Sequence, residues 1–119
     1  MKPGRMVRGD GSIAIPAAWL ADRWWTRLRG LLLRKPLDAA GPEALLIKPC
    51  ASVHTFGMAY PLDLVFLDRD GQVCGWKQGV KPWRVAACRQ AVATLELRAG
   101  TLERLQPRLG EPWRWQQAT

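Results

Sequence analysis

Histidine and tyrosine each occur once in this chain, at His54 and Tyr60, and phenylalanine only twice. A site built on two imidazoles is therefore excluded, and with it the usual blue-copper set and most histidine-rich zinc centres. Cysteine stands at 50, 74 and 88, an odd number with no C-x-x-C pair, so neither a disulfide framework nor a zinc-ribbon spacing is present. Acidic residues are also scarce, 10 against 18 basic ones. No apolar run approaches the roughly 18 residues that cross a bilayer. Residues 13–21 follow Lys2, Arg5 and Arg8 in the manner of a secretory leader, but Asp10 and Pro16 interrupt that pattern. The chain reads as soluble, cytoplasmic and carrying reduced thiols.

What is present points to one domain. At 119 residues and 48% hydrophobic, the chain can bury one sizeable core. Its 11 glycines and 9 prolines call for many short elements joined by turns, which favours strands over a helical bundle. The net charge is +8 and arginine supplies most of it. Guanidinium pairs bidentately with carboxylate and phosphate, so an anionic partner is favoured, whether a small ligand, a protein or a nucleic acid. The basic residues are scattered, which disfavours the nucleic acid.

Residues 1–11 lack a hydrophobic period and read as a basic flexible tail, leaving residues 12–119 as the domain. A short strand is expected at residues 12–15. From Ala17 the spacing of Leu20, Trp24, Leu28 and Leu31 predicts a longer amphipathic helix with a basic flank of Arg23, Arg27 and Arg34. Residues 44–47 are apolar throughout, as in a buried strand. Residues 62–67 and 73–80 read as a hairpin around Asp70-Gly71. Residues 91–97 alternate well enough for a strand, with Thr94 and Glu96 on its polar side. Thr101 is placed to cap a short helix ended by Pro107, and residues 111–115 form a last strand. The expected fold is α+β: a single compact strand-rich domain, a small barrel-like or strongly bent antiparallel sheet, with one longer N-terminal helix and one short helix.

Chemistry concentrates in residues 49–63, which hold the single histidine and tyrosine. Cys50, His54 and Met58 recur every four residues, a soft-ligand set, yet no second histidine completes it, so no metal and no cofactor is expected. Cys50, Cys74 or Cys88 with His54, oriented by Asp63, would supply the parts of a thiol-imidazole-carboxylate system. His54 and Asp63 alone would supply a general base. Each set has a bland counterpart, in which the thiols pack as small hydrophobes and the imidazole bonds to backbone. Trp113-Arg114-Trp115 puts two indoles on one strand face, where they could stack on bases or fill a core.

Several ordered motifs resemble one family. They are Leu20-Ala21-Asp22, Arg27-Leu28-Arg29-Gly30-Leu31-Leu32, Leu45-Leu46-Ile47 and, most specific, His54-Thr55-Phe56-Gly57-Met58 followed by Pro61-Leu62-Asp63. Lys81-Pro82-Trp83-Arg84 and Leu95-Glu96-Leu97-Arg98-Ala99-Gly100-Thr101 continue the series. In these the chain resembles the DUF192 (UPF0127) family, in its His-Thr-Phe-Gly-Met variant. The resemblance implies a compact strand-rich domain without an assigned activity. Gly110-Glu111 stands where the family usually has Gly-Asp, and the family's Met-Lys-Asn is unmatched, so no role of that lysine or asparagine transfers.

The reading that unites these features is a non-enzymatic binding or accessory module for a protein or small anionic ligand. His54, Asp63, Arg27, Cys50 and Met58 are its candidate ligand-binding residues. An enzyme using His54 with Asp63 or a cysteine, and a nucleic-acid binder with a basic aromatic face, are the alternatives.

Overall fold

A computed structural model describes residues 2–21, 44–50, 52–54 and 60–118; within β5 the side chains of Val53 and His54 are outside that description. The strands are β1 (Gly4–Arg8), β2 (Ile13–Ile15), β3 (Ala18–Ala21), β4 (Ala44–Ile47) and β5 (Ser52–His54). They continue with β6 (Leu62–Leu67), β7 (Val73–Val80), β8 (Val85–Ala87), β9 (Ala93–Arg98) and β10 (Trp113–Gln117). One helix, α1 (Thr101–Leu105), lies between β9 and β10.

A five-stranded sheet ordered β3-β4-β9-β6-β7 forms the centre. Its three inner strands carry the near-continuous apolar runs ALLI, LDLVFL and ATLELR, because both of their faces are covered. Strand alternation divides these side chains between two cores. Leu46, Val65, Leu67, Leu95 and Leu97 face a three-stranded sheet ordered β10-β1-β2, which adds Met6, Ile15 and Trp113. Leu45, Leu62, Leu64 and Phe66 face the other way, toward Ala86 of the β5-β8 ribbon.

The three-stranded sheet reaches both edges of the five-stranded one. Lys2 and Leu20 exchange backbone hydrogen bonds of 2.9 and 2.8 Å at the β3 edge. At the β7 edge the Val73 amide donates to the Glu111 carbonyl (2.9 Å) and the Trp113 amide to the Gly71 carbonyl (2.9 Å).

This architecture corrects the α+β expectation to a mostly β fold. Where the longer N-terminal helix was expected to start, Ala18–Ala21 is a strand running parallel to β4, with Ala18 opposite Ala44 and Ala21 opposite Ile47. Ala18 and Ala21 are fully buried while Trp19 and Leu20 are half-buried, so backbone pairing and two-sided packing override the helical spacing. The remainder of that expected helix lies outside the described residues. Because β3 and β4 run parallel, the central sheet is mixed rather than antiparallel. The N-terminal residues correct a second expectation. Gly4–Arg8 is the middle strand of its sheet, with Gly4 and Met6 buried and Arg5 exposed. A glycine and two arginines hide that alternation from a hydrophobicity reading. At Gly4 an added Cβ would collide with the Gln116 carbonyl and the Trp115 indole, so only glycine lets β1 approach β10 this closely.

The hairpin of β6 and β7, the buried β4 and the strand β9 stand where the sequence places them. The expected cap of the short helix does not. Gly100 occupies the N-cap position and no local side chain bonds there, while the Thr101 hydroxyl donates backward to the Arg98 carbonyl (2.6 Å).

Candidate functional site

Asp63 is the most constrained of the predicted site residues. It is 1% exposed, on the face of β6 that looks between the two sheets. One carboxylate oxygen accepts the Gly79 amide at 2.8 Å; the other accepts the amides of Gly100 (3.0 Å) and Leu102 (2.9 Å). The last two are donors that a helix N-terminus leaves unsatisfied, and a negative charge there is favoured, whereas Gly79 belongs to β7. Asp63 is thus the cap of α1, supplied from a strand 37 and 39 residues earlier in the chain. Three of its roughly four acceptor positions are occupied by backbone. The sequence pairs Asp63 with His54 by nearness and does not reveal its role at a helix end 37 residues further on.

The other predicted residues are positioned as follows. The Cys50 thiol is half-buried and donates to the Ser52 carbonyl at 2.9 Å. Its amide donates to the Val92 carbonyl (2.9 Å), and its carbonyl accepts the Thr94 hydroxyl (3.1 Å). These bonds pin the start of residues 49–63 to the start of β9. His54 sits at the end of β5, opposite Val85 of β8. Arg27 and Met58 lie outside the described residues. Among the described residues, no three histidine, cysteine or carboxylate side chains converge as metal ligands would. Nor is any helix among them long and apolar enough to cross a membrane.

Two features were not anticipated from the sequence. Glu96 is only 4% exposed on β9, opposite Leu45 on one side and Leu64 on the other, so the polar side of that strand faces the second core. Only the central position of β9 reveals this, and alternation within one strand cannot. Cys74 of β7 and Cys88, just after β8, hold their sulfurs 3.4 Å apart. Burial pushes the Cys74 thiol up to about 12, helped by its hydrogen bond with Cys88 and by the charge that Cys88 would carry when ionised.

A second polar cluster ties β1 and β10 to the segment that follows α1. The Glu111 Oε1 accepts the Trp113 indole N–H (2.7 Å), the Arg8 guanidinium (2.7 Å) and the Arg108 amide (3.2 Å). The guanidinium of Arg8 lies 5.3 Å from the Trp113 ring centroid. Burial alone would raise the Glu111 carboxyl, but these donors outweigh it and hold it below its usual 4.5.

The space between the sheets has two unlike ends. In the register of β6 with β9, Asp63 lies opposite Leu97 and Leu67 opposite Ala93. At the first end α1 packs Leu102 and Leu105 into the core. At the second, a cleft of about 540 Å³ opens among the ends of β3 and β4, the β6-β7 turn and β10. Leu20, Leu46 and Trp115 give it apolar walls; Lys48, Arg69 and Arg114 are also among its lining residues, Arg114 lying between Trp113 and Trp115 on β10. Asp68 and Asp70 also line it, but the Asp68 Oδ1 is engaged by the amides of Asp70 and Gln72, both at 2.9 Å. Arg69 and Arg114 are exposed and form no ion pair or hydrogen bond among the described residues.

The model of one protein family, described as "Uncharacterized ACR, COG1430" and called DUF192, matches residues 6–115. The chain belongs to the DUF192 family. A UPF0127 protein of Thermococcus sibiricus is 29% identical over 103 residues, covering 82% of this chain and 64% of that protein. This DUF192 chain therefore spans less than two thirds of that relative. A UPF0127 protein of Pyrococcus horikoshii is 30% identical over 102 residues, covering 81% of this chain and 84% of its own. A crystal structure of a protein of unknown function from Novosphingobium aromaticivorans superposes with a TM-score of 0.75. At 21% identity, covering 95% of this chain and 84% of that one, it shows that the DUF192 fold is shared. No specific function is shown for the family by these relatives.

Proposed function

We propose that this DUF192 domain is a non-enzymatic binding module whose ligand is a small amphipathic anion, held in the cleft at the open end of the inter-sheet core. One observation carries this reading: the cleft joins apolar walls to two arginines that have no other partner among the described residues. A cleft of about 540 Å³ falls in the range that encloses a small organic molecule. Its apolar body would lie against Leu20, Leu46 and Trp115, and its carboxylate, sulfonate or phosphate would meet Arg69 and Arg114. The opposite end suits an anion less, because the opening of about 430 Å³ beside α1 is lined by the carboxylates of Asp63 and Glu103. The cytoplasm suits such a module, since Cys50, Cys74 and Cys88 are all free thiols.

Anilinonaphthalenesulfonate, an aromatic anion, is a suitable probe. Titrated by fluorescence at low salt, it is expected to bind the folded domain at one saturable site. An Arg69→Ala, Arg114→Ala double variant is expected to bind it about tenfold more weakly, the loss of a charge-assisted hydrogen bond. Its melting temperature should stay put, because both side chains are exposed. Equal affinity in the two proteins would remove the cleft from consideration.

A further inference from the structure

Cys74 and Cys88 are two of three free thiols, none of which lines the cleft, and they alone stand beside each other among the described residues. Cys74 lies on β7, the edge strand of the central sheet, and Cys88 follows β8 of the ribbon that covers its second face. The sulfurs are 3.4 Å apart, the Cys74 thiol donates to the Phe66 carbonyl (3.4 Å) and the Cys88 thiol to the Cys74 carbonyl (3.7 Å). Side-chain rotation need bring the sulfurs only about 1.4 Å closer to reach disulfide bonding distance. Gly75 leaves room, since a Cβ there would stand 3.4 Å from the Cys88 sulfur. Both thiols are half-buried rather than sealed, so a small oxidant can reach them.

We propose that Cys74 and Cys88 are a reversible thiol-disulfide modification site, oxidised by a low-molecular-weight disulfide of the glutathione type. The Cys88 thiolate attacks one sulfur of the oxidant, forming a mixed disulfide and expelling one thiolate. Cys74 then attacks the Cys88 sulfur, releasing the second thiol and closing the intramolecular bond. Two cysteine thiols are oxidised and one small disulfide is reduced to two thiols, with both protons passing to the released thiolates. Cys88 takes the first step because burial keeps Cys74 protonated. Closure ties the β5-β8 ribbon covalently to the sheet edge.

The test equilibrates the full chain with oxidised and reduced glutathione, quenches with acid and alkylates the remaining thiols. Trypsin cleaves after Arg69, Lys77, Arg84 and Arg89, so the bond would join the peptides of residues 70–77 and 85–89. That linked pair is expected in the wild type and equally in Cys50→Ser, with a raised melting temperature. Cys74→Ser is expected to stop at a glutathione adduct on Cys88, a readout that does not depend on the missing bond. The equilibrium constant for closure should be at least about tenfold larger in the native chain than in urea, because the fold holds the sulfurs together. Separate glutathione adducts on both cysteines, a link to Cys50, unreacted thiols, or no excess over the urea value would each overturn the proposal.

Discussion

Asp63 shows how a single side chain can organise distant backbone. Its carboxylate gathers the amides of Gly79, Gly100 and Leu102 at the buried end of α1. Asp63→Asn keeps the shape but turns a donor toward donors. We expect a stability loss of about 2–4 kcal/mol in urea denaturation, from charge-assisted bonds broken and amides left buried. An unchanged midpoint would mean that water satisfies those amides and that Asp63 is free for other work. Glu111 gives a pH-dependent counterpart. Its folded carboxyl titrates below the usual 4.5, so its stabilising contribution is complete above that value and is lost as the pH falls through the folded value. Compared with Glu111→Gln, the wild type should have a constant melting-temperature advantage near neutral pH that shrinks on acidification below about 4.5. A gap that widened in acid would contradict the donor set around Glu111.

At the scale of elements, β1 is where the structure departs most usefully from the sequence. Deleting residues 1–8 from a flexible tail would be harmless. Here it removes the fully buried Met6 and the nearly buried Val7 and strips a partner from both β2 and β10. The expected cost is roughly 5 kcal/mol for the apolar burial alone, a large part of a domain's stability. We expect the cooperative thermal transition to disappear in circular dichroism, and an unchanged melt would restore the tail reading. The strands most legible in the sequence had a strong local signal: the apolar run of β4, the Asp70-Gly71 hairpin and the stretch leading into β9, while β2 and β10 stand within two residues of their expected places. β1 and β3 were not, because glycine and arginine mask the alternation of one and a helical spacing disguises the other. The candidate cleft was illegible for a different reason. Leu20, Lys48, Arg69 and Arg114 come from four separated segments, and only the closing of the two sheets brings them together. Of its parts, only the Trp113-Arg114-Trp115 triplet drew notice, through its two aromatic rings. The fold keeps both indoles on one face, against the first core, with Trp113 buried and Trp115 half-buried.

Across the whole molecule, charge and topology act together. The +8 net charge attracts anions to the molecule as a whole, so net electrostatics alone cannot single out the cleft. Salt separates the two contributions. The screening length falls from about 10 Å at 0.1 M to about 3 Å at 1 M, which removes diffuse attraction first. Anilinonaphthalenesulfonate should therefore lose affinity with rising salt in both the wild type and the double-arginine variant. The wild type should keep a residual preference that reflects contact pairing. If the two curves merge at moderate salt, the arginines act only through the general field.

The pairing of β1 with β10 sets Gly4 opposite Gln117 and Arg8 opposite Trp113. Contacts so far apart along the chain must wait for everything between them to be made, and long-range closure slows folding. On a ribosome, the hairpin of β6 and β7 can form early, while β1 has to stay unpaired with β10 until the last strand has left the exit tunnel. β1, made well before β10, is thus completed only once β10 has emerged. During that interval the apolar side of β1 depends on β2, or on whatever else in the cell will hold it.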